Sequence, residues 1–263
     1  GLLEEPEQLA ERFGAFALNN PHYMPQALAL GLLCLGVAWE LPGEEGSGRS
    51  VALTESVEEA VTTVVKSRAA STQLAQCITR CAEEGGEEIY QALFPLVMVE
   101  GIDEFLALLD AQLVAELLFG YLEDIVDNAF YEPQVKRLTR VLGRFGHPMV
   151  ERAQVLSLPA PERTLRLRAA AINILGGTSD ADAVEPLVTR LSDAEAVIVE
   201  RATNGLIRLG PDLTLLPVLQ ILEKQDLGPL QLRVHCAALT ILGRFLEEPD
   251  GARHVSFAQY QNI

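Results

Sequence analysis

Cys77 and Cys81 stand one helical turn apart, a spacing at which two thiolates on one helix face can share a metal ion. A closed zinc site needs two more ligands close by, and its usual cysteine spacing is Cys-x₂-Cys. The four histidines (His22, His147, His235 and His254) are scattered, and none has a ligand-like spacing to another histidine or to a cysteine. His235 adjoins Cys236, but consecutive residues on a helix face different directions. The four cysteines, Cys34, Cys77, Cys81 and Cys236, therefore read as reduced, buried thiols inside helical patterns. No metal and no cofactor is expected from these residues.

The segment Gly43-Glu44-Glu45-Gly46-Ser47-Gly48-Arg49-Ser50 has the spacing of a phosphate-binding loop, with Arg where the lysine belongs. That chemistry also needs a strand leading in and a helix starting at the last residue, so that backbone amides converge on the phosphates. Here a helical pattern ends at Leu41-Pro42, the next begins only at Thr54, and two glutamates in the loop repel a nucleotide. A solvated Gly/Ser linker is the reading. The carboxylate pairs Glu58-Glu59, Glu83-Glu84 and Glu87-Glu88 fall at helix ends or on exposed faces, and Glu87 and Glu88, after Gly85-Gly86, would offset the dipole of a helix starting there. No Gly-x-Ser-x-Gly elbow and no Cys/His pairing occurs, so no catalytic residue is assigned and a non-enzymatic protein is expected.

The elements that would position any site are clearer. Four Leu-Gly pairs, Leu142-Gly143, Leu175-Gly176, Leu209-Gly210 and Leu242-Gly243, recur at spacings of 33, 34 and 33 residues. Each closes an amphipathic pattern: Ile198, Ala202, Gly205, Leu206 and Leu209 share one face, as do Val234, Ala237, Ala238, Ile241, Leu242 and Phe245. The small residues Ala171, Gly205 and Ala238, five places before a glycine, admit a close neighbour helix. The terminal glycine is expected in a left-handed C′ conformation that stops the helix. A second helix precedes each: Val184, Leu187, Val188 and Leu191 behind an Asp182 cap, then Leu215, Leu219 and Leu222 after Gly210-Pro211-Asp212. Such a pair cannot bury its apolar face alone, so the pairs must stack.

Small residues in one helix, an aspartate after its companion and an Arg-Ala step (Arg168-Ala169, Asp193, Arg201-Ala202) resemble the pattern of HEAT-like repeats, particularly the short bacterial kind. The resemblance covers residues 132–246. It implies an all-α fold, an α-solenoid of stacked antiparallel helix pairs with a period of about 33 residues. Ankyrin repeats fit less well, since Thr-Pro-Leu-His is missing, and the single tryptophan, Trp39, lies outside the repeats, against a tetratricopeptide assignment. Some HEAT-like proteins bind di-iron through repeated His-Glu dipeptides, and this chain has none. Others are subunits of bilin lyases, an alternative compatible with the repeat style. A third reading is a helical domain of a larger regulatory or secretion-system protein, suggested by a start at Gly1 and an open-ended last repeat.

Half of the 263 residues are hydrophobic, enough for a core, and alternating β-type patterns are nearly absent. The longest apolar run, 27–39, is too short to span a bilayer and reads as a buried helix. No charged leader precedes it, so a cytoplasmic protein is expected. Charge divides the chain. Residues 1–130 hold 22 acidic and 5 basic side chains, whereas 131–263 hold 15 of each. Within 136–168, eight basic residues face two acidic ones. The expected organisation is an acidic helical region at 1–130, HEAT-like repeats at 131–250 and a tail at 251–263.

The expected function is a non-catalytic scaffold or adaptor that binds another protein over its solenoid surface. Arg137, Arg140, Arg144 and Arg168 are the candidate contacts for an acidic partner segment, chosen from charge density. Salt-sensitive self-association, acidic half to basic belt, is a variant of the same idea. The belt lacks interleaved aromatics and the whole chain is acidic, so nucleic acid is not the expected partner.

Overall fold

The computed structural model describes residues 5–40, 53–223 and 228–247. The Gly-rich segment 43–50 and the tail 251–263 lie outside the described residues. Every regular element described is helical, and no helix among these residues is long and apolar enough to cross a membrane. The chain divides into two compact units, Gly1–Tyr121 and Leu122–Ile263.

The first unit holds α1 (Pro6–Asn19), α2 (Met24–Glu40), α3 (Glu55–Val65), α4 (Arg68–Glu83), α5 (Leu93–Leu96), α6 (Ile102–Leu106) and most of α7 (Ala111–Ile125). The apolar run at 27–39 is α2, which packs on α1, α3 and α4 and buries Leu28, Leu32 and Leu35 against them. Val57, Val61 and Val64 of α3 and Leu74 and Ile78 of α4 complete that core at full burial. Three helix starts have identifiable side-chain caps. Ser67 accepts from the Ala70 amide at α4, and Asp110 Oδ1 accepts from the Gln112 and Leu113 amides at 3.0 and 2.9 Å at α7. The start of α3 is capped from another helix: the Glu11 carboxylate of α1 accepts from the Ser56 hydroxyl and amide. These bonds, the hydroxyl's foremost, hold the Glu11 carboxyl below the usual glutamate range. Gly36 lets α2 cross the 3₁₀ turn Glu87–Ala92 backbone to backbone, since a Cβ there would stand 1.8 Å from the Glu88 carbonyl oxygen.

The second unit contains α8 (Glu132–Arg144), α9 (Val150–Ser157), α10 (Leu165–Leu175), α11 (Val184–Arg190), α12 (Ala196–Leu209), α13 (Pro211–Glu223) and α14 (Pro229–Glu247). Alternate helices form a row, with α8 on α10, α10 on α12 and α12 on α14. The intervening helices pack alongside: α9 on α10, α11 on α12 and α13 on α14, with α11 also touching α13. Pairwise helix stacking is therefore observed in the segment that carries the Leu-Gly repeat. The expected faces of α12 and α14 are buried, Leu242 only partly.

Three local expectations are corrected. The Leu-Gly glycines do not share a left-handed C′ role: Gly143 and Gly243 lie inside α8 and α14, and Gly176 has φ −69°. Only Gly210 has positive φ, at 84°. What Gly143 and Gly176 provide is close approach. A Cβ on Gly176 would lie 2.4 Å from the Gly205 Cα, and one on Gly143 would lie 3.0 Å from the Gly177 Cα, so successive helices of the row meet at glycine backbones. Second, Asp180 and not Asp182 caps the entry to α11, its Oδ1 accepting from the Asp182 amide at 2.8 Å. Third, α13 buries Thr214, Val218 and Ile221, one position out of phase with the leucines, which stay partly exposed. Thr214 can be buried because its hydroxyl donates to the Gly210 carbonyl at 2.7 Å.

Candidate functional site

The basic residues of 136–168 do not form one surface. Lys136, Arg137, Arg140 and Arg144 fall along the face of α8 opposite its buried Leu138, Val141 and Leu142. Lys136 pairs with Glu132 one turn earlier at 3.2 Å, and Arg140 and Arg144 are exposed. The remaining cations hold the unit together. Arg152 donates to Glu123 at 2.8 Å, Arg163 to the Val155 carbonyl at 2.7 Å, and Arg166 to the Asp127 carbonyl at 3.2 Å. The belt splits into a stripe along α8, in which Arg137 is half-buried, and a set of cations that tie parts of the second unit.

Arg168 belongs to the ties. Its side chain is 8 % exposed, its guanidinium forms a short ion pair with Asp193, and its Nε donates to the Ser157 carbonyl at 3.2 Å. Arg190, at the end of α11, approaches the same Asp193 oxygen at 3.7 Å. Asp193 is itself 7 % exposed, and its other oxygen accepts from the Glu195 amide at the start of α12. Two guanidiniums thus share one buried carboxylate that ties α10 to the α11–α12 turn. Burial holds Arg190 below its ordinary pKa, against the pull of Asp193. Of the four candidate contacts, the structure brings Arg137, Arg140 and Arg144 onto one helix and encloses Arg168.

The packing of α11 on α13 leaves a groove of about 440 Å³ on the unit's surface. Val184, Val188, Leu213, Pro217 and Ile221 give it an apolar floor, with Glu185 and Gln220 as its polar lining.

One cluster escaped the sequence reading. His147 Nδ1 lies 3.2 Å from Asp180 Oδ2 and 3.4 Å from Asp182 Oδ2. The signal was present in the repeat: His147 follows Gly143 by four residues, and Asp180 follows Gly176 by four. Each also follows a residue with positive φ, Gly146 at 71° and Ser179 at 53°. Equivalent turns of successive helix pairs therefore place these side chains side by side, although 33 residues separate them in sequence.

The expectation of buried thiols is corrected: Cys236 is exposed, and the cysteine pair on α4, Cys77 and Cys81, is free but only half-buried. Burial pushes both thiols up, as it does for Cys34 on α2, and Glu84 and Glu88 push Cys81 further. A raised thiol is protonated and a poor nucleophile at neutral pH. Compared with known proteins, the chain matches no family profile, no curated protein and no solved structure.

Proposed function

We propose that the second unit is an array of HEAT-like helix pairs and that the protein is an adaptor, binding an acidic segment of another protein along α8. The supporting observation is the placement of Lys136, Arg137, Arg140 and Arg144 along the one face of α8 opposite its buried residues. A cationic stripe on a rigid helix favours a partner carrying Asp and Glu at matching spacing, and steers its approach. The helix-on-helix row supports the repeat reading, because each pair finds its core only against its neighbours.

Affinity capture from the native extract, comparing the wild type with an Arg137→Glu, Arg140→Glu, Arg144→Glu variant, tests the reading. The expected result is a partner retained by the wild type, lost by the variant, and released from the wild type by salt. Equal retention by both moves the interface off α8. A coloured or small-molecule ligand carried by the wild type, with no partner, replaces the adaptor reading with the lyase-subunit alternative. Self-association through the same stripe predicts oligomers at low salt, and a constant monomer mass over a wide concentration range excludes it.

A further inference from the structure

We propose that His147, Asp180 and Asp182 form a binding site for a divalent transition-metal ion of the zinc class. One ligand atom from each residue lies within 4.8 Å of the other two. The imidazole nitrogen stands 3.2 and 3.4 Å from the two carboxylate oxygens. Four ligands about 2.0–2.1 Å from a central zinc ion in a tetrahedron stand about 3.3–3.4 Å from one another. Both His147 edges thus match the edge length of such a tetrahedron. Calcium needs bonds of about 2.3–2.6 Å and six or more oxygens, which three side chains do not supply. The mixed imidazole and carboxylate set favours zinc, nickel or copper over magnesium.

The site is also oriented. Asp180 is held because its Oδ1 accepts from the Asp182 amide, leaving Oδ2 toward His147. Its side chain is 20 % exposed, against 71 % for His147 and 68 % for Asp182, so the ion enters from solvent and the held carboxylate forms the base of the site. Two carboxylates and a neutral imidazole cancel the charge of a dication. Three protein ligands leave a fourth position open to water or to a donor from a bound partner. Coordination through Nδ1 needs the tautomer with its proton on Nε2, and a proton on Nδ1 competes for the same lone pair. The ligands come from equivalent turns of successive helix pairs, so the ion would staple one pair to the next.

The test is calorimetric titration of the full chain with zinc chloride, with thermal melts in parallel. A cobalt titration read by absorption shows whether thiolates take part, since thiolate ligation gives an intense near-ultraviolet band. The expected result is one site, no thiolate band, a rise in melting temperature on zinc addition, and at least a tenfold loss of affinity in His147→Ala and in Asp180→Asn. Asp180→Asn also weakens the cap, so His147→Ala, an exposed change, keeps the proposal falsifiable if the former fails to fold. Zinc affinity unchanged in His147→Ala, a thiolate band at the first equivalent, or no zinc heat at all would each overturn it. In the last case the trio is only an ion-paired turn.

Discussion

Alanine substitution at the four Leu-Gly glycines separates two accounts of why the repeat carries glycine. If every one were a left-handed C′ residue, each change would cost the same, about 1 kcal/mol. The structure gives each a different surrounding. At Gly176 the new Cβ would stand 2.4 Å from the Gly205 Cα, and the atom it meets is backbone, which cannot swing aside. Ordinary carbon contact is about 3.5–4.0 Å, so α10 and α12 must part by about 1 Å along their crossing, near the upper end of the ~1–3 kcal/mol overpacking range. The backbone there, φ −69° and ψ −5°, suits alanine, which returns ~0.4–1 kcal/mol through the unfolded chain. The net for Gly176→Ala is a loss of about 2 kcal/mol. Gly143→Ala meets Gly177 at 3.0 Å and loses about 1 kcal/mol. Gly210→Ala meets nothing, but φ 84° with ψ 166° is open essentially to glycine alone, and it loses ~1–3 kcal/mol to strain. Gly243→Ala, inside α14 with no atom within 4 Å, gains about 0.5–1 kcal/mol. Urea unfolding followed by circular dichroism, with equal slopes across the set, measures all four. A uniform loss at the four positions, or a Gly243→Ala variant as unstable as Gly176→Ala, refutes the close-approach account.

Other perturbations follow from named contacts. Asp193→Ala leaves the guanidiniums of Arg168 and Arg190 without their shared carboxylate and is expected to cost ~3–5 kcal/mol in urea unfolding, whereas Arg168→Met, which leaves Asp193 paired with Arg190, is expected to cost less. Glu11 has a lowered folded-state pKa, so its contribution is complete above the ordinary glutamate range and fades as pH falls through the folded value. Glu11→Gln should therefore destabilise the first unit at neutral pH and converge with the wild type in acid; a difference independent of pH would rule out the linkage. Exposed Cys236 should take up a maleimide well before Cys34, Cys77 and Cys81 in the native protein, and equal rates would mean that burial on α2 and α4 does not protect the thiols.

The helical class and the packed row of the second unit were legible because they depend on a pattern read at long range. Burial of Ile198, Ala202, Gly205, Leu206 and Leu209 follows from 3.6-residue periodicity alone. The phase of α13 was not legible. Leucine spacing names Leu215, Leu219 and Leu222, but a threonine that bonds its hydroxyl to its own helix is a good core residue, and hydropathy cannot register that bond. The glycines misled in a similar way. Glycine serves a positive φ and a near backbone equally well, and only the position of the neighbouring helix tells them apart.

The same ambiguity governs the cations. From composition, Arg168 looks like Arg140, a positive charge in a basic stretch. Its place on the helix distinguishes them. Arg168 lies on the buried side of α10, among Leu167, Ala171 and Ile172, where an unpaired guanidinium would be prohibitively costly. A charge in that register must have a counter-ion, and the turn one helix pair onward supplies Asp193. Arg140 lies away from Leu138, Val141 and Leu142, so water alone can satisfy it. Reading each of these two charges against the phase of its own helix would have separated Arg168 from Arg140 without coordinates. Reading each turn against its equivalent one period away would likewise have set His147 beside Asp180. Where the Leu-Gly spacing holds, a residue's neighbour in space can lie one spacing away, as Asp180 does for His147.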